Sequence, residues 1–217
     1  MTKESPLGKL IASLQKKISE GGLDKAAIEE ATKELAKLGY QYDEDGFPPL
    51  VDTEDFSNNS LDSPQDLAEA LLWKLGKWRA YKKFCENYAA EQPVPTKTDV
   101  VFYAFAMHLK DKNNPIYDQH AIRSLWAIFE ELTADERQKC KSLLFDTKNK
   151  WKQSGTGKSA IDCYSIFIKH VNDLVSASGG ASKSELDRLL MPLGQAIKES
   201  TKTYIEFDTL CGWPSSG

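Results

Sequence analysis

The sequence lacks a long apolar run, a Cys-x-x-Cys pair and a histidine at ligand spacing from a cysteine. Four cysteines and three histidines are scattered through the 217 residues. Their spacing fits neither a structural zinc site nor an iron–sulfur cluster, so we expect no metal and no cofactor. The residues concerned are Cys85, Cys140, Cys163, Cys211, His108, His120 and His170.

Targeting and membrane signals are also missing. No apolar stretch approaches the roughly 18 residues that a membrane span requires. The first residues, MTKESPLGKL, lack the apolar centre of a signal peptide. We therefore expect a cytoplasmic protein without a membrane partner, in which the cysteines remain free thiols.

Positive charge is scarce in the first part of the chain. Residues 1–63 contain 7 lysines and 13 acidic residues, a net charge of -6, whereas the rest contains 21 basic and 19 acidic residues, a net charge of +2. The overall net charge of -4 argues against broad, nonspecific nucleic-acid binding. The remainder can still carry a local phosphate-binding face. The acidic N-terminal arm could bind a protein partner or fold over such a basic face.

Apolar residues recur at helical spacing, and strand-like alternation is almost absent. We predict an all-α, bundle-like fold with a helical hairpin over residues 1–39, an acidic loop or linker over 40–63 and a helical domain over 64–217. Ser63 is the expected N-cap of the first domain helix, with Pro64 at N1 and Asp66 at N3. The expected helices of the domain cover residues 64–75, 77–91, 95–111, 118–131, 133–145, 159–177 and 182–200. Capping boxes are expected at Thr133–Glu136 and Ser182–Glu185.

Residues 73–84 combine five basic and four aromatic side chains. This interleaving suits a nucleic-acid surface, on which rings stack with bases and cations hold phosphates. The alternative is an amphipathic helix whose aromatic side chains fill the core while its lysines are solvated, and the residues alone favour that alternative.

Residues 155–159, Gly-Thr-Gly-Lys-Ser, resemble a nucleotide-binding loop at first sight. The full pattern requires a glycine where Lys152 stands, and a hydrophobic strand before the loop. Neither is present. A polar loop leading into a helix explains these residues better.

Lys97 and Asp118 are the candidates for chemistry. A lysine in the first turn of a helix lies at the positive end of the helix dipole, and burial would lower its pKa further and make its amine a nucleophile. An aspartate at an N-cap accepts backbone hydrogen bonds, and there it could also stabilise a developing cation. Taken singly, each residue is better explained as structural.

The two segments together resemble the helix-hairpin-helix DNA glycosylases. Pro95–Val101 (PTKTDVV) resembles the lysine-bearing helix, and Ile116–Arg123 (IYDQHAIR) resembles the segment Val-Asp-x-His-x-x-x-Arg that supplies the catalytic aspartate. The chain is also similar to short bacterial proteins with an 8-oxoguanine glycosylase fold, which share the Thr-Lys pair and an upstream tryptophan–lysine helix. The resemblance covers roughly residues 64–130.

The resemblance implies a glycosylase, with or without AP-lyase activity, acting on DNA that carries a damaged or modified base. Repair and defence against modified phage DNA are both compatible roles. Lys97 would form a Schiff base at C1′, and Asp118 would stabilise the oxocarbenium-like transition state. The target base would be flipped out of the duplex. Residues expected to contact DNA are His120, Lys77, Arg79, Lys82 and Thr96. The base pocket would be lined by Trp73, Trp78, Phe102 and Trp126.

The chain departs from the family in the hairpin. Residues 92–95, Gln-Pro-Val-Pro, stand where the family has Leu-Pro-Gly-Val-Gly, so the glycines that let backbone amides approach a phosphate are absent. The alternative function is a catalytically inactive helical binding protein that reuses the fold. It predicts a solvated Lys97, an Asp118 that only caps its helix, and no pocket between them.

Overall fold

The computed structural model describes residues 3–42, 64, 66–111, 113–153, 157–177 and 181–212. In these ranges the regular structure is helical, apart from two isolated β-bridges. The prediction of an all-α fold is confirmed. The helices are α1 (Pro6–Ser19), α2 (Lys25–Lys37), α3 (Leu67–Lys74), α4 (Trp78–Ala89), α5 (Val100–Lys110), α6 (Gln119–Ile128), α7 (Ala134–Leu144), α8 (Ala160–Ala177), α9 (Lys183–Ser200) and α10 (Tyr204–Cys211).

The two expected capping boxes are confirmed. At α7 the Thr133 side chain accepts a hydrogen bond from the Glu136 amide, and the Glu136 carboxylate accepts one from the Thr133 amide. Ser182 and Glu185 make the same pair of bonds at α9. Each box satisfies two amides that the first helical turn leaves free, so the residues themselves fix where the helix begins.

The start of α3 differs from the prediction. Asp66, expected at N3, is the N-cap, and its Oδ1 accepts a hydrogen bond from the Glu69 amide at 2.8 Å. The helix therefore begins three residues later than expected, with a charge-assisted cap hydrogen bond at Asp66. Ser63 lies outside the described residues, as does most of the predicted linker 40–63.

Helix α10 was not predicted from the sequence. Its eight residues are too few to display a convincing helical period. The signal that was available is the cap, since the Thr203 side chain accepts a hydrogen bond from the Glu206 amide at 3.3 Å. Phe207 and Leu210 are fully buried, so packing against the core stabilises this short helix.

Helix α6 lies at the centre of the molecule, and residues 121–128 are all buried. It packs against α1, α7, α8 and α9. The contact with α9 is a close backbone approach, because a Cβ placed on Gly194 would lie 2.1 Å from the His120 carbonyl oxygen. Only glycine at position 194 allows the two helices to come this near.

The N-terminal hairpin packs on this centre. Helix α1 contacts α6 and α10, and α2 contacts α9. The buried Gln15 amide of α1 donates hydrogen bonds to the carbonyl oxygens of Ala127, at 2.8 Å, and Cys211, at 3.0 Å. The hairpin, the central helix and α10 are thereby joined at one point.

Helices α3 and α4 form the least buried part of the described chain. Helix α4 packs on α5, and α5 in turn contacts α8. Three leucines of the α3 segment, spaced four residues apart, face solvent: Leu67, Leu71 and Leu75 are 90%, 58% and 60% exposed. No helix of the described ranges combines the length and apolar character that a bilayer span requires.

Candidate active site at the starts of helices α5 and α6

Lys97 lies in a turn that precedes α5. The prediction that it sits in the first helical turn is wrong, because α5 begins only at Val100. The reason is Asp99, whose buried carboxylate accepts a hydrogen bond from the Thr96 amide at 2.6 Å and closes a tight turn. Lys97 is exposed in that turn, while its carbonyl oxygen accepts a hydrogen bond from the Gly157 amide at 3.3 Å.

Asp118 is the N-cap of α6, as expected. Its Oδ1 accepts hydrogen bonds from the amides of His120, at 2.6 Å, and Ala121, at 2.9 Å. The side chain is half-buried, and Oδ2 accepts no hydrogen bond from the described residues. One oxygen therefore fixes the carboxylate, and the other is available to a ligand.

Three tyrosines connect the two helix starts. Tyr117, directly before Asp118, packs edge-on against Tyr164 of α8 with ring centroids 5.1 Å apart. Tyr103, in the first turn of α5, packs against the same Tyr164 ring at 5.8 Å. Burial raises the pKa of Tyr164 to about 12, so at neutral pH its hydroxyl is uncharged. Helix α8 thus contacts both the first turn of α5 and the residue before the Asp118 cap.

Arg123, one turn further along α6, brings a positive charge into the core. It is 1% exposed, and its Nη1 donates to the Gly194 carbonyl oxygen at 3.1 Å and contacts His120 Nδ1 at 3.3 Å. Its guanidinium also lies 4.4 Å from the centre of the Trp151 ring. Burial lowers the pKa of Arg123 to about 10, with Asp118 opposing, and the side chain stays charged at neutral pH.

His120 is half-buried between these charges. Burial lowers its pKa below the usual value, Arg123 and Lys198 act in the same direction, and Asp118 opposes them. The ring is therefore largely neutral at pH 7. Because a guanidinium has only donors, the contact with Arg123 requires Nδ1 to accept, which leaves the ring proton on Nε2.

Asp187 of α9 belongs to this site and was missed in the sequence. It is 2% exposed, and its Oδ2 accepts a hydrogen bond from the Ile116 amide at 3.0 Å. Its Oδ1 is buried without a hydrogen-bond partner among the described residues. Burial raises the pKa of Asp187 to about 7, and the negative charge of Asp118 acts in the same direction. The signal that could have found it is an aspartate beside the apolar positions of α9.

The expected base-pocket residues fall in three places. Trp73 and Trp78 contact each other on α3 and α4, with ring centroids 5.4 Å apart. Trp126 is 2% exposed and packs in the core against Phe207, at 4.8 Å. Phe102 is half-buried on α5. The structure therefore brings Trp73 and Trp78 together and places Trp126 in the interior.

The expected DNA contacts are on the surface. Lys77 and Arg79 are exposed, as is Thr96, and Lys82 is half-buried. Phe84 of this stretch is half-buried, and its ring packs on Phe105 at 5.4 Å, outside the buried core of the described residues. The interpretation that the aromatic side chains fill the core therefore does not hold for Phe84. It does not hold for Trp73 either, which is 50% exposed.

Three surface cavities of the described chain lie away from Lys97 and Asp118. A cavity of about 340 Å³ is lined by α1 and α2, and a cavity of about 410 Å³ lies between α2 and α9. A third, of about 420 Å³, follows the end of α7. The described residues contain no group of three or more histidine, cysteine, aspartate or glutamate side chains that could hold a metal ion.

No family model matches the chain, and no curated protein or solved structure matches it either. The interpretation of the site therefore rests on its own geometry.

Proposed function

We propose that the chain is a helical DNA glycosylase of the helix-hairpin-helix type, acting on DNA with a damaged or modified base. The observation that carries the proposal is the Asp118 carboxylate, fixed at the start of α6 with Oδ2 open and a neutral His120 beside it. The tyrosine contacts through α8 support it, since Tyr103 of α5 and Tyr117, directly before Asp118, pack on the same Tyr164 ring.

In this mechanism the amine of Lys97 attacks C1′ of the flipped nucleotide. The bond between C1′ and the base breaks, and the base leaves with the electron pair and takes up one proton from the amine. The bond between C1′ and O4′ then breaks, O4′ takes up the second amine proton, and the sugar is left as an imine on the lysine. The positive charge that develops at the sugar is stabilised by Asp118, which is held in place before the reaction begins. His120 presents its Nε2 proton to a DNA phosphate.

The surface of α3 and α4 provides the remaining contacts in this proposal. Lys77, Arg79 and Lys82 would neutralise phosphates, and the exposed ring of Trp73, paired with Trp78, offers a stacking face to a base. Thr96, in the Lys97 turn, would bind the backbone near the target nucleotide.

The test is borohydride trapping on a panel of duplexes with modified bases and with a preformed abasic site. We expect a covalent adduct with wild type, no adduct with Lys97→Ala, and a loss of base release of at least about a hundredfold with Asp118→Asn. Lys158→Ala is the matched control, because that exposed lysine follows Gly157, whose amide contacts the Lys97 turn.

Unchanged trapping in Lys97→Ala, or equal trapping losses in Lys97→Ala and Lys158→Ala, would contradict the role of Lys97. Absence of both adduct and base release on every duplex would contradict the glycosylase itself.

A second function, a helical binding protein without catalysis, is favoured by a different observation. Lys97 is exposed, Asp118 caps its helix, and the leucines of α3 present an apolar stripe to solvent. This function predicts that wild type, Lys97→Ala and Asp118→Asn bind DNA with equal affinity in fluorescence anisotropy and that none of them releases a base.

A further inference from the structure

The buried carboxyl of Asp187 lies behind the segment that leads into α6. Its Oδ2 accepts a hydrogen bond from the Ile116 amide, two residues before Asp118, and its Oδ1 has no partner among the described residues. Helix α9, which carries Asp187, is held against α6 by the close approach at Gly194. The carboxyl is therefore tied to a rigid helix on one side and to the Asp118 segment on the other.

The charges around Asp187 come from two elements. Asp118 at the start of α6 disfavours its ionisation, and Lys183, one turn earlier on α9, favours it weakly. His120 and Arg123 both interact electrostatically with Asp118. On the side of α2, Lys25 is paired with Glu185 at 3.0 Å.

We propose that Asp187 is a positioning residue for Asp118: its neutral carboxyl anchors the Ile116 amide, and its ionisation opens the segment before Asp118 to water and repels the Asp118 carboxylate. This proposal rests on the glycosylase function proposed above. The Ile116 hydrogen bond by itself favours the ionised form, but the cost of burying the charge is larger. An ionised carboxylate with one buried, unpartnered oxygen gains water when the segment 115–118 opens, and the anchor is lost in that open state. Base release then falls as the pH rises through the pKa of Asp187, which is about 7.

The charge state also sets a stability window. The pKa of Asp187 in the folded chain lies above its ordinary value of 3.8, so between those two pH values the folded state holds a proton that the unfolded state has lost. The free energy of unfolding therefore falls as the pH rises through this window. Asp187→Asn cannot ionise, and its side-chain carbonyl can still accept the Ile116 hydrogen bond.

The experiment combines NMR with kinetics. In wild type, the Ile116 amide should lose hydrogen-exchange protection, relative to neighbouring amides, between pH 6 and pH 8, and the Asp187 carboxyl carbon should titrate in the same range. In Asp187→Asn, protection of the Ile116 amide should stay constant. Glu199→Gln is the control, since it removes an exposed acid from the same helix without touching Ile116.

The kinetic arm separates positioning from folding. Asp187→Leu should lower base release roughly tenfold or more, because Asp118 loses its alignment. It should leave Schiff-base trapping at a preformed abasic site unchanged, since that step requires Lys97 alone. Asp187→Asn should retain base release and lose the decline above pH 7.

If hydrogen-exchange protection of the Ile116 amide in wild type does not change with pH, the anchoring role is overturned. A decline above pH 7 that persists in Asp187→Asn would overturn the kinetic role. If no duplex yields base release with wild type, the glycosylase proposal and the positioning role both fall, and the NMR arm then shows separately whether Asp187 governs the α6 start.

Discussion

At the scale of single residues, Arg123 occupies the most demanding environment of the site. Its hydrogen bonds go to the Gly194 carbonyl and the His120 ring rather than to a carboxylate, and its Nε is buried without a partner among the described residues. A buried cation of this kind is costly to keep and also costly to remove, because its partners are left unsatisfied. The contact between the Arg123 guanidinium and His120 Nδ1 orients the His120 ring.

Arg123→Ala should therefore destabilise the chain by about 3 kcal/mol, since it opens a cavity and strips the donor from the Gly194 carbonyl. Urea unfolding at pH 7 measures the effect. Arg79→Ala removes an exposed arginine and should change the unfolding free energy by less than about 0.5 kcal/mol. Equal effects of the two substitutions would refute the structural role of Arg123.

At the scale of helices, the pair α6 and α9 determines the geometry of the site. Gly194 allows the two backbones to touch, Arg123 bridges them, and Asp187 reaches from α9 to the segment before α6. Asp118 and His120 are consequently placed by contacts between two helices rather than by α6 alone. A change in the spacing of these helices must change the site.

Gly194→Ala is the direct test of that spacing. The added methyl group would overlap the His120 carbonyl, so we expect a loss of at least about 2 kcal/mol in the free energy of unfolding and a displaced His120. Thermal unfolding and the NMR shifts of the His120 ring report the two effects. Gln195→Ala, an exposed neighbour on the same helix, should leave the His120 shifts unchanged.

At the scale of the whole molecule, charge is divided between acidic and basic regions. The chain has a net charge of -4, yet Lys77 and Arg79 of the α3–α4 region are exposed. Under the glycosylase proposal, DNA must bind this local surface against the overall charge. Binding should accordingly depend steeply on salt.

Lys77→Ala and Arg79→Ala should each weaken DNA binding and reduce the slope of log K against log salt by about 1. Anisotropy titrations between low and physiological salt measure that slope. Lys148→Ala removes an exposed lysine from the loop after α7 and serves as the control. A slope that stays constant in all three variants would remove the α3–α4 surface from the DNA interface.

Local signals in the sequence predicted most of the fold. The capping boxes and the apolar period of α1 and α2 depend on residues within one or two turns of each other, so they can be read without the structure. The turn around Lys97 could not be predicted from the sequence, because it depends on which backbone amide donates a hydrogen bond to the Asp99 carboxylate. Asp187 could not either, since its partner Ile116 is 71 positions away.

The Gln15 side chain has a consequence for the order of synthesis. Its amide joins Ala127, 112 positions further along the chain, to Cys211, 196 positions away. The two hydrogen bonds that tie Gln15 to the central helix α6 and to α10 can therefore form together only after α10 has left the ribosome. Until then the helix that carries the Asp118 cap lacks this support, so a nascent chain acquires a fully braced site only after α10 has been made.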